Sequence, residues 1–276
     1  MRNNKYSLLY LTDLHYKANG RNYYEEDMYI TSQLMHDFEI LICHPTQSKN
    51  YEELTDAIIF RNTGSVIYYQ KEYDEFVKRM NISRTPVYNS LTGKGDMKGK
   101  QHLVDLTTAN YPVIPSIDQI SDIAKLPSTN KYVLKLKNGA DSIGMKMVTY
   151  EELLTSNLSN VVIQPFIDFK YEVSFYYIDK IFQYALYAPN KLKRWEMKEY
   201  KPTREDLKFS QQFIDWNTIN HGIQRVDGCR LPNGELLLVE LEDLNPYLSL
   251  NVLNEDIRIA FIQAFKASIL KLINIK

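Results

Sequence analysis

Residues 225–246, RVDGCRLPNGELLLVELEDLNP, constrain the fold of this chain more than any other stretch. Asn233-Gly234 lies between two extended, alternating runs, the strongest short-range signal for a two-residue β-hairpin turn in which both positions need positive φ. Such a turn sets the register. With Pro232 facing Glu235, Asp227 falls opposite Glu240 and Arg225 opposite Glu242, and strand alternation puts all four side chains on one face. Two carboxylates about 5 Å apart, at an effective dielectric near 20, cost roughly 3 kcal/mol. A hard divalent cation with oxygen ligands offsets that cost, and Mg²⁺ typically uses one or two carboxylates together with nucleotide phosphate oxygens. A solvated sheet face with its acids in water fits the same residues equally well.

The first ninety residues alternate strand-like runs with amphipathic stretches: YSLLYLT, Glu25 to His36, FEILIC, DAIIF, Glu72 to Met80 and TPVYN. Strand, helix, strand in this order implies a parallel α/β unit. LTGKGDMKGK, rich in glycine and lysine, breaks the pattern and reads as a boundary or mobile loop before a helix from about Lys100 to Ala109. KYVLKL and MKMVTY read as an antiparallel pair around NGADSIG. VVIQPFI and YEVSFYYIDKIFQYALYA supply further strands, with Asp179-Lys180 as a turn. Thr203 to Asp206 forms a capping-box pattern ahead of a helix reaching Trp216, and Glu255 to Ile273 carries apolar residues at helical spacing.

A length of 276 residues with 44% hydrophobic composition allows a substantial core in two or three units. The net charge of −1 provides no general drive toward nucleic acid or an anionic membrane, and no segment is long and apolar enough to span a bilayer. Two cysteines, Cys43 and Cys229, are too few for a disulfide framework and lack zinc-ligand spacing. The expected location is the cytoplasm. A homo-oligomer is left open.

Four segments between Asn89 and Pro246, taken in order, resemble the ATP-grasp superfamily, most closely the branch containing D-alanyl-D-alanine ligase, glutathione synthetase and protein-glutamylating ligases. The first comprises Asn89-Ser90, Asp96 to Lys100 and Tyr111 to Pro115. The resemblance implies a phosphate-contacting lysine there; spacing to Pro112 favours Lys98, with Lys100 one residue off the other way. The second, KLKNGADSIGM, resembles the strand and glycine-rich loop that closes over phosphates, which gives Lys135 the α- and β-phosphates and lets Gly139, Ser142 and Gly144 bring backbone N–H groups close to an anion. The third, VVIQPFIDFKYEVSF, places Gln164, Phe166 and Ile167 at the adenine edge and Glu172 at the ribose. The fourth is the hairpin, where Arg225, Asp227 and Glu240 match the family pattern of an arginine, an acid and a metal-binding glutamate. The family's asparagine position holds Glu242, with Asn245 three residues on; Glu242 is favoured because it shares a face with Glu240.

The implied architecture is α/β: an ATP-grasp fold with a Rossmann-like N-terminal unit over 1–92, a small lobe with the phosphate loop over 93–165, and a C-terminal lobe with the metal site over 166–276. The implied reaction joins a carboxylate to an amine through an acylphosphate and releases ADP and phosphate. ATP and Mg²⁺ (or Mn²⁺) would bind at Asp227, Glu240 and Glu242, and Arg225 would stabilise the transferring group. Lys191, Lys193 and Arg194 are further candidates for the γ-phosphate or a substrate carboxylate, and His15, Lys17 and Arg21 for substrate. A nucleotide-binding regulatory module without turnover is the alternative. The amine acceptor can be an amino acid, a peptide or a protein side chain.

Overall fold

Runs that are apolar at every position, such as Leu8 to Leu11 and Ala57 to Phe60, are buried on both faces, which is what the inner strands of a parallel sheet require. The computed structural model describes residues 5–15, 17–18, 21–61, 66–139 and 144–274. Its N-terminal unit comprises β1 (Ser7–Leu11), the two-residue pair β2 (Lys17–Ala18) and β3 (Arg21–Asn22), α1 (Tyr23–Leu34), β4 (Glu39–Cys43), β5 (Ala57–Phe60), α2 (Gln70–Ser83) and β6 (Val87–Tyr88). The order β4-β1-β5-β6 is parallel throughout. The sheet therefore switches direction between β1 and β5, where Thr12 and Arg61 leave the strand ends, and such switch points are where open α/β sheets take ligands.

After α3 (Gln101–Thr108), a small antiparallel sheet of order β8-β7-β9 is built from β7 (Tyr132–Leu136), β8 (Lys146–Val148) and β9 (Val161–Pro165). The returning strand is shorter than MKMVTY suggests. Thr149 accepts from the Glu152 amide, while the Glu152 carboxylate accepts from the Thr149 amide, and this capping box starts α4 (Tyr150–Thr155) instead.

The largest sheet, β12-β11-β10-β13-β14, is antiparallel. It comprises β10 (Tyr171–Ile178), β11 (Ile181–Ala188), β12 (Lys198–Glu199), β13 (Ile223–Arg230) and β14 (Leu236–Glu242), with α5 (Arg204–Trp216) between β12 and β13 and α6 (Glu255–Ile273) at the end. The Thr203–Asp206 capping box forms as its pattern predicts. One face of this sheet packs Val173, Phe175 and Val226 against Leu103, Phe209 and Phe213 of α3 and α5. The other packs Tyr176, Tyr184 and Leu186 against Phe261, Phe265 and Ile269 of α6, whose core also takes in Leu8 and Tyr10 of β1. Each such buried side chain contributes about 2–3 kcal/mol of transfer free energy. One core therefore joins the N-terminal sheet to the five-stranded sheet, and the small sheet has a core of its own around Leu134, Leu153 and Ile163.

Asn89, buried just after β6, ties the N-terminal sheet to the five-stranded one. Its side-chain amide donates to the carbonyls of Ile223 and Asp243, both at 2.7 Å, and its carbonyl accepts from the Ile223 amide at 2.8 Å. Among the described residues no helix is long and apolar enough to cross a membrane.

The hairpin differs from its two-residue expectation. Gly234 N–H donates to the Leu231 carbonyl, Leu231 pairs with Glu235, and only Gly234 has positive φ (95°), so the loop has three residues, Pro232 to Gly234. Proline at the first loop position is the reason: its φ is locked negative, which suits a type I turn closed by a left-handed glycine. The pairing is thereby displaced by one residue as far as Gly228↔Leu238. A β-bulge between Asp227 and Gly228 then restores Asp227↔Glu240 and Arg225↔Glu242.

Candidate active site

The four hairpin residues share a face, and their repulsion is relieved by protein cations. The Arg225 side chain donates to Asp227 through Nε (3.0 Å to Oδ1) and Nη2 (2.8 Å to Oδ2), and the same Nη2 also donates to Glu242 Oε1. Nη1 donates to the Tyr247 carbonyl at 2.9 Å. Ser174 of β10, opposite Asp227, donates to Asp227 Oδ1 at 2.6 Å. Burial alone would lower the Arg225 pKa, but Asp227 and Glu242 outweigh it and hold the guanidinium more firmly charged than usual.

Glu240 is served by a different cation. The Lys100 ammonium donates to Glu240 Oε1, and Lys100 is buried while Lys98 is exposed. The structure thus brings Lys100, not the Lys98 favoured by spacing, to the carboxylates. Burial pushes the Glu240 carboxyl up, yet Lys100 and Lys135 together bring it down to about 2. Lys135 projects from β7 on the face it shares with Gln164, and burial lowers its pKa; Glu240, Lys100, Glu172 and Arg194 are the charges that act on it. These residues come from both sheets, so the cluster lies where the small and large sheets meet.

Gln164 is buried, and its amide donates to Ser116 Oγ at 2.8 Å. Phe166 is 42% exposed and Ile167 half-buried, so neither is a core residue; the Phe166 N–H donates to the Lys131 carbonyl at 2.9 Å. Glu172 stands on the same face of β10 as Ser174, 3.6 Å from Arg194. Of the three basic candidates in 190–198, only Arg194 is directed at a predicted site residue: Lys191 pairs with Asp168, and Lys193 with Glu196 at 2.6 Å. Gly139 and Gly144 border residues 140–143, which lie outside the described part. Ser142 lies outside the described residues. His15 is exposed and stacks on Tyr24 at 5.1 Å; the side chains of Lys17 and Arg21 lie outside the described part.

The segment expected to be a boundary or mobile loop is held in place by a tight bracket. Asp243 accepts from the amides of Gly95 (2.7 Å) and Met97 (2.9 Å), while Asp96 accepts from the amides of Asp243 (2.6 Å) and Leu244 (2.9 Å). Two carboxylates thus exchange backbone donors and press the lysine segment onto the end of β14. His102 adds a second tie: its Nε2 accepts from the Leu241 amide at 3.3 Å, so Nδ1 carries the proton donated to the Gly99 carbonyl at 3.0 Å. Lys100 is held between these ties. A Cβ at Gly95 would lie 2.6 Å from the Leu241 carbonyl oxygen and 2.9 Å from the Asp243 carboxyl carbon. Gly95→Ala is therefore expected to destabilise the protein by about 2–3 kcal/mol, read as a fall in urea midpoint at unchanged slope.

Among the described residues no group of three or more His, Cys, Asp or Glu side chains is gathered closely enough to hold a metal ion. Glu240 is turned to Lys100, while Asp227 and Glu242 meet at a single nitrogen of Arg225. Two carboxylates meeting at one cationic atom, with only oxygen donors, suit a small hard cation.

No family model and no curated protein matches the sequence. Solved structures do match the fold over nearly its whole length. D-cycloserine synthetase DcsG is 17% identical with a TM-score of 0.70, over 95% of this chain and 98% of that one. The ATP-grasp ligase PsnB, complexed with a phosphomimetic variant of minimal precursor, Mg and ADP, is 14% identical with a TM-score of 0.63, over 97% and 99%. D-alanine–D-alanine ligase from Bacillus anthracis, complexed with ATP, is 12% identical with a TM-score of 0.60, over 97% and 96%.

Proposed function

The chain has the ATP-grasp fold, and we propose that it is an ATP-dependent ligase that joins a carboxylate to an amine through an acylphosphate, with release of ADP and phosphate. The observation that carries this reading is the meeting of Lys100 and Lys135 with Glu240, beside Arg225 with Asp227 and Glu242. Phosphoryl transfer to a carboxylate brings two anions together, and fixed cations aimed at the transferring group are the main means of lowering that barrier.

Lys100 and Lys135 would contact the nucleotide phosphates, Arg225 the transferring group, and Gln164, Phe166, Ile167 and Glu172 the adenosine. Asp227, Glu240 and Glu242 would hold Mg²⁺ (or Mn²⁺), which would supply neutralisation of phosphate charge. The similar PsnB holds Mg and ADP, and the similar D-alanine–D-alanine ligase holds ATP. PsnB also takes a precursor and the D-alanine ligase an amino acid, which supports an amino acid or peptide as the substrate class here.

The test is ADP release from Mg-ATP by the purified protein, with and without a panel of amino acids and peptides, and with Glu240→Ala as control. Release that needs one carboxylate and one amine, and that disappears in the variant, is the expected result. Tight Mg-ATP binding without release under any mixture would move the reading to a nucleotide-binding regulatory module.

A further inference from the structure

Arg225 is oriented partly by a carbonyl, that of Tyr247, and the segment carrying it is held from outside the five-stranded sheet. Arg61, at the end of β5 and 1% exposed, donates to the Pro246 carbonyl at 2.6 Å. Glu26 of α1, also buried, accepts from the Leu248 amide at 2.8 Å and the Leu250 amide at 3.1 Å, one on each carboxylate oxygen. Arg61 Nη2 lies 3.3 Å from Glu26 Oε1, and the Tyr184 hydroxyl donates to the Leu248 carbonyl at 2.8 Å. Ser249, between the two anchored amides, has φ 54°, a conformation a serine adopts only when its surroundings impose it.

We propose that Glu26 and Arg61 are positioning residues for Arg225: the ionised Glu26 carboxylate and the Arg61 guanidinium fix Pro246–Leu250, and protonation of Glu26 releases the segment. This rests on the role given to Arg225 in the ligase reading. An ionised carboxylate is a strong acceptor at both oxygens, whereas protonation leaves one of them a hydroxyl oxygen, a weaker acceptor, so one of the two amide bonds is weakened. The groups facing Glu26 are Arg61 from β5, Asp27 beside it on α1, and Tyr176 and Tyr184 from β10 and β11. Asp27 in turn accepts from Tyr10 (2.7 Å) and Thr12 (2.5 Å) of the β1 end. One buried cation thus serves two buried carboxylates, and burial pushes Glu26 up to about 7 despite Arg61 and the two amides.

The sign is specific. A carboxyl raised on folding adds most stability when protonated, and that contribution is lost as pH rises through about 7. Anchoring, and turnover with it, would improve over the same interval. A merely structural residue would move stability and turnover together.

The test uses wild-type protein labelled with ¹⁵N-leucine and ¹⁵N-arginine, titrated from about pH 5.5 to 8.5 around the Glu26 value. The Leu248 and Leu250 amide signals and the Arg225 Nε–H signal are expected to shift with one midpoint near 7, and to stop doing so in Glu26→Gln but not in Asp27→Asn. ADP release is expected to fall about tenfold one pH unit below that midpoint in the wild type and to be low and flat in Glu26→Gln. Leucine and arginine signals that do not titrate, or that titrate unchanged in Glu26→Gln, would overturn the proposal even if turnover is robust. Titrating signals in a protein that releases no ADP would uphold the anchor and count against the ligase reading alone.

Discussion

Lys100→Met is expected to lower kcat/KM for Mg-ATP turnover by about 10²–10³, while Lys98→Met leaves it within about twofold. Lys100 is buried with its ammonium on Glu240, whereas Lys98 is exposed at the end of a short 3-10 turn. Removing Lys100 takes a fixed cation from the place where phosphate charge would gather. It also leaves the half-buried Glu240 carboxylate with Lys135 as its remaining cation, so its pKa rises from about 2 toward the ordinary range. Since a depressed carboxylate adds stability above its unfolded pKa that disappears only as pH falls through the folded value, the wild type keeps this contribution at neutral pH and the variant does not. Breaking a half-buried pair in this way costs less than the roughly 3–5 kcal/mol of a fully buried one, and the urea midpoint should fall together with kcat/KM. Equal losses in Lys98→Met and Lys100→Met would sink the assignment.

Arg225→Met carries the other large effect. Asp227 and Glu242 share one guanidinium nitrogen, and its loss leaves both carboxylates facing each other at low exposure. Turnover is expected to fall by about 10³, and stability without divalent cation by about 3–5 kcal/mol. Millimolar Mg²⁺ should then raise the melting temperature of the variant more than that of the wild type, because a divalent ion can take the place the guanidinium left. Melting curves with and without Mg²⁺ decide this. A variant whose melting temperature ignores Mg²⁺ would remove Asp227 and Glu242 from the metal role.

Much of this arrangement is legible in the chain, because strand alternation and turn residues act locally. The parallel unit, α5 with its capping box, α6 and the shared face of Arg225, Asp227, Glu240 and Glu242 all follow from local pattern. The register at the acids agrees with the sequence for an instructive reason. A proline lengthens the turn by one residue, a bulge beside Gly228 absorbs the difference, and neither is visible in a count outward from Asn233-Gly234.

What local pattern does not contain is long-range partnership. Spacing favours Lys98, and Lys100 is selected only by the Asp96–Asp243 bracket and the His102 tie, which join residues about 140 positions apart. The glycines of LTGKGDMKGK signal chain freedom when read alone. In the folded protein Gly95 is there because a carbonyl of β14 and a carboxyl leave no room for a side chain. Arg61 and Glu26 likewise sit in ordinary-looking stretches, and only the fold shows that they reach the segment after β14. Ser174 was within reach of pattern reading, since it lies two residues beyond Glu172 on the same strand face.

The shared core around α6 has a consequence for how the molecule opens. The N-terminal and five-stranded sheets are welded by α6, by Asn89 and by the Arg61–Glu26 contacts, whereas the small sheet closes on its own core and reaches the rest through polar links such as Lys100 N–H to the Lys137 carbonyl at 2.7 Å and Lys137 Nζ to Gln101 at 2.8 Å. Thermal agitation will therefore act on two bodies of unequal size. The smaller should exchange its amide hydrogens at a lower free energy than the larger, and admission of a nucleotide between the sheets would be a swing of that minor body against a fixed frame.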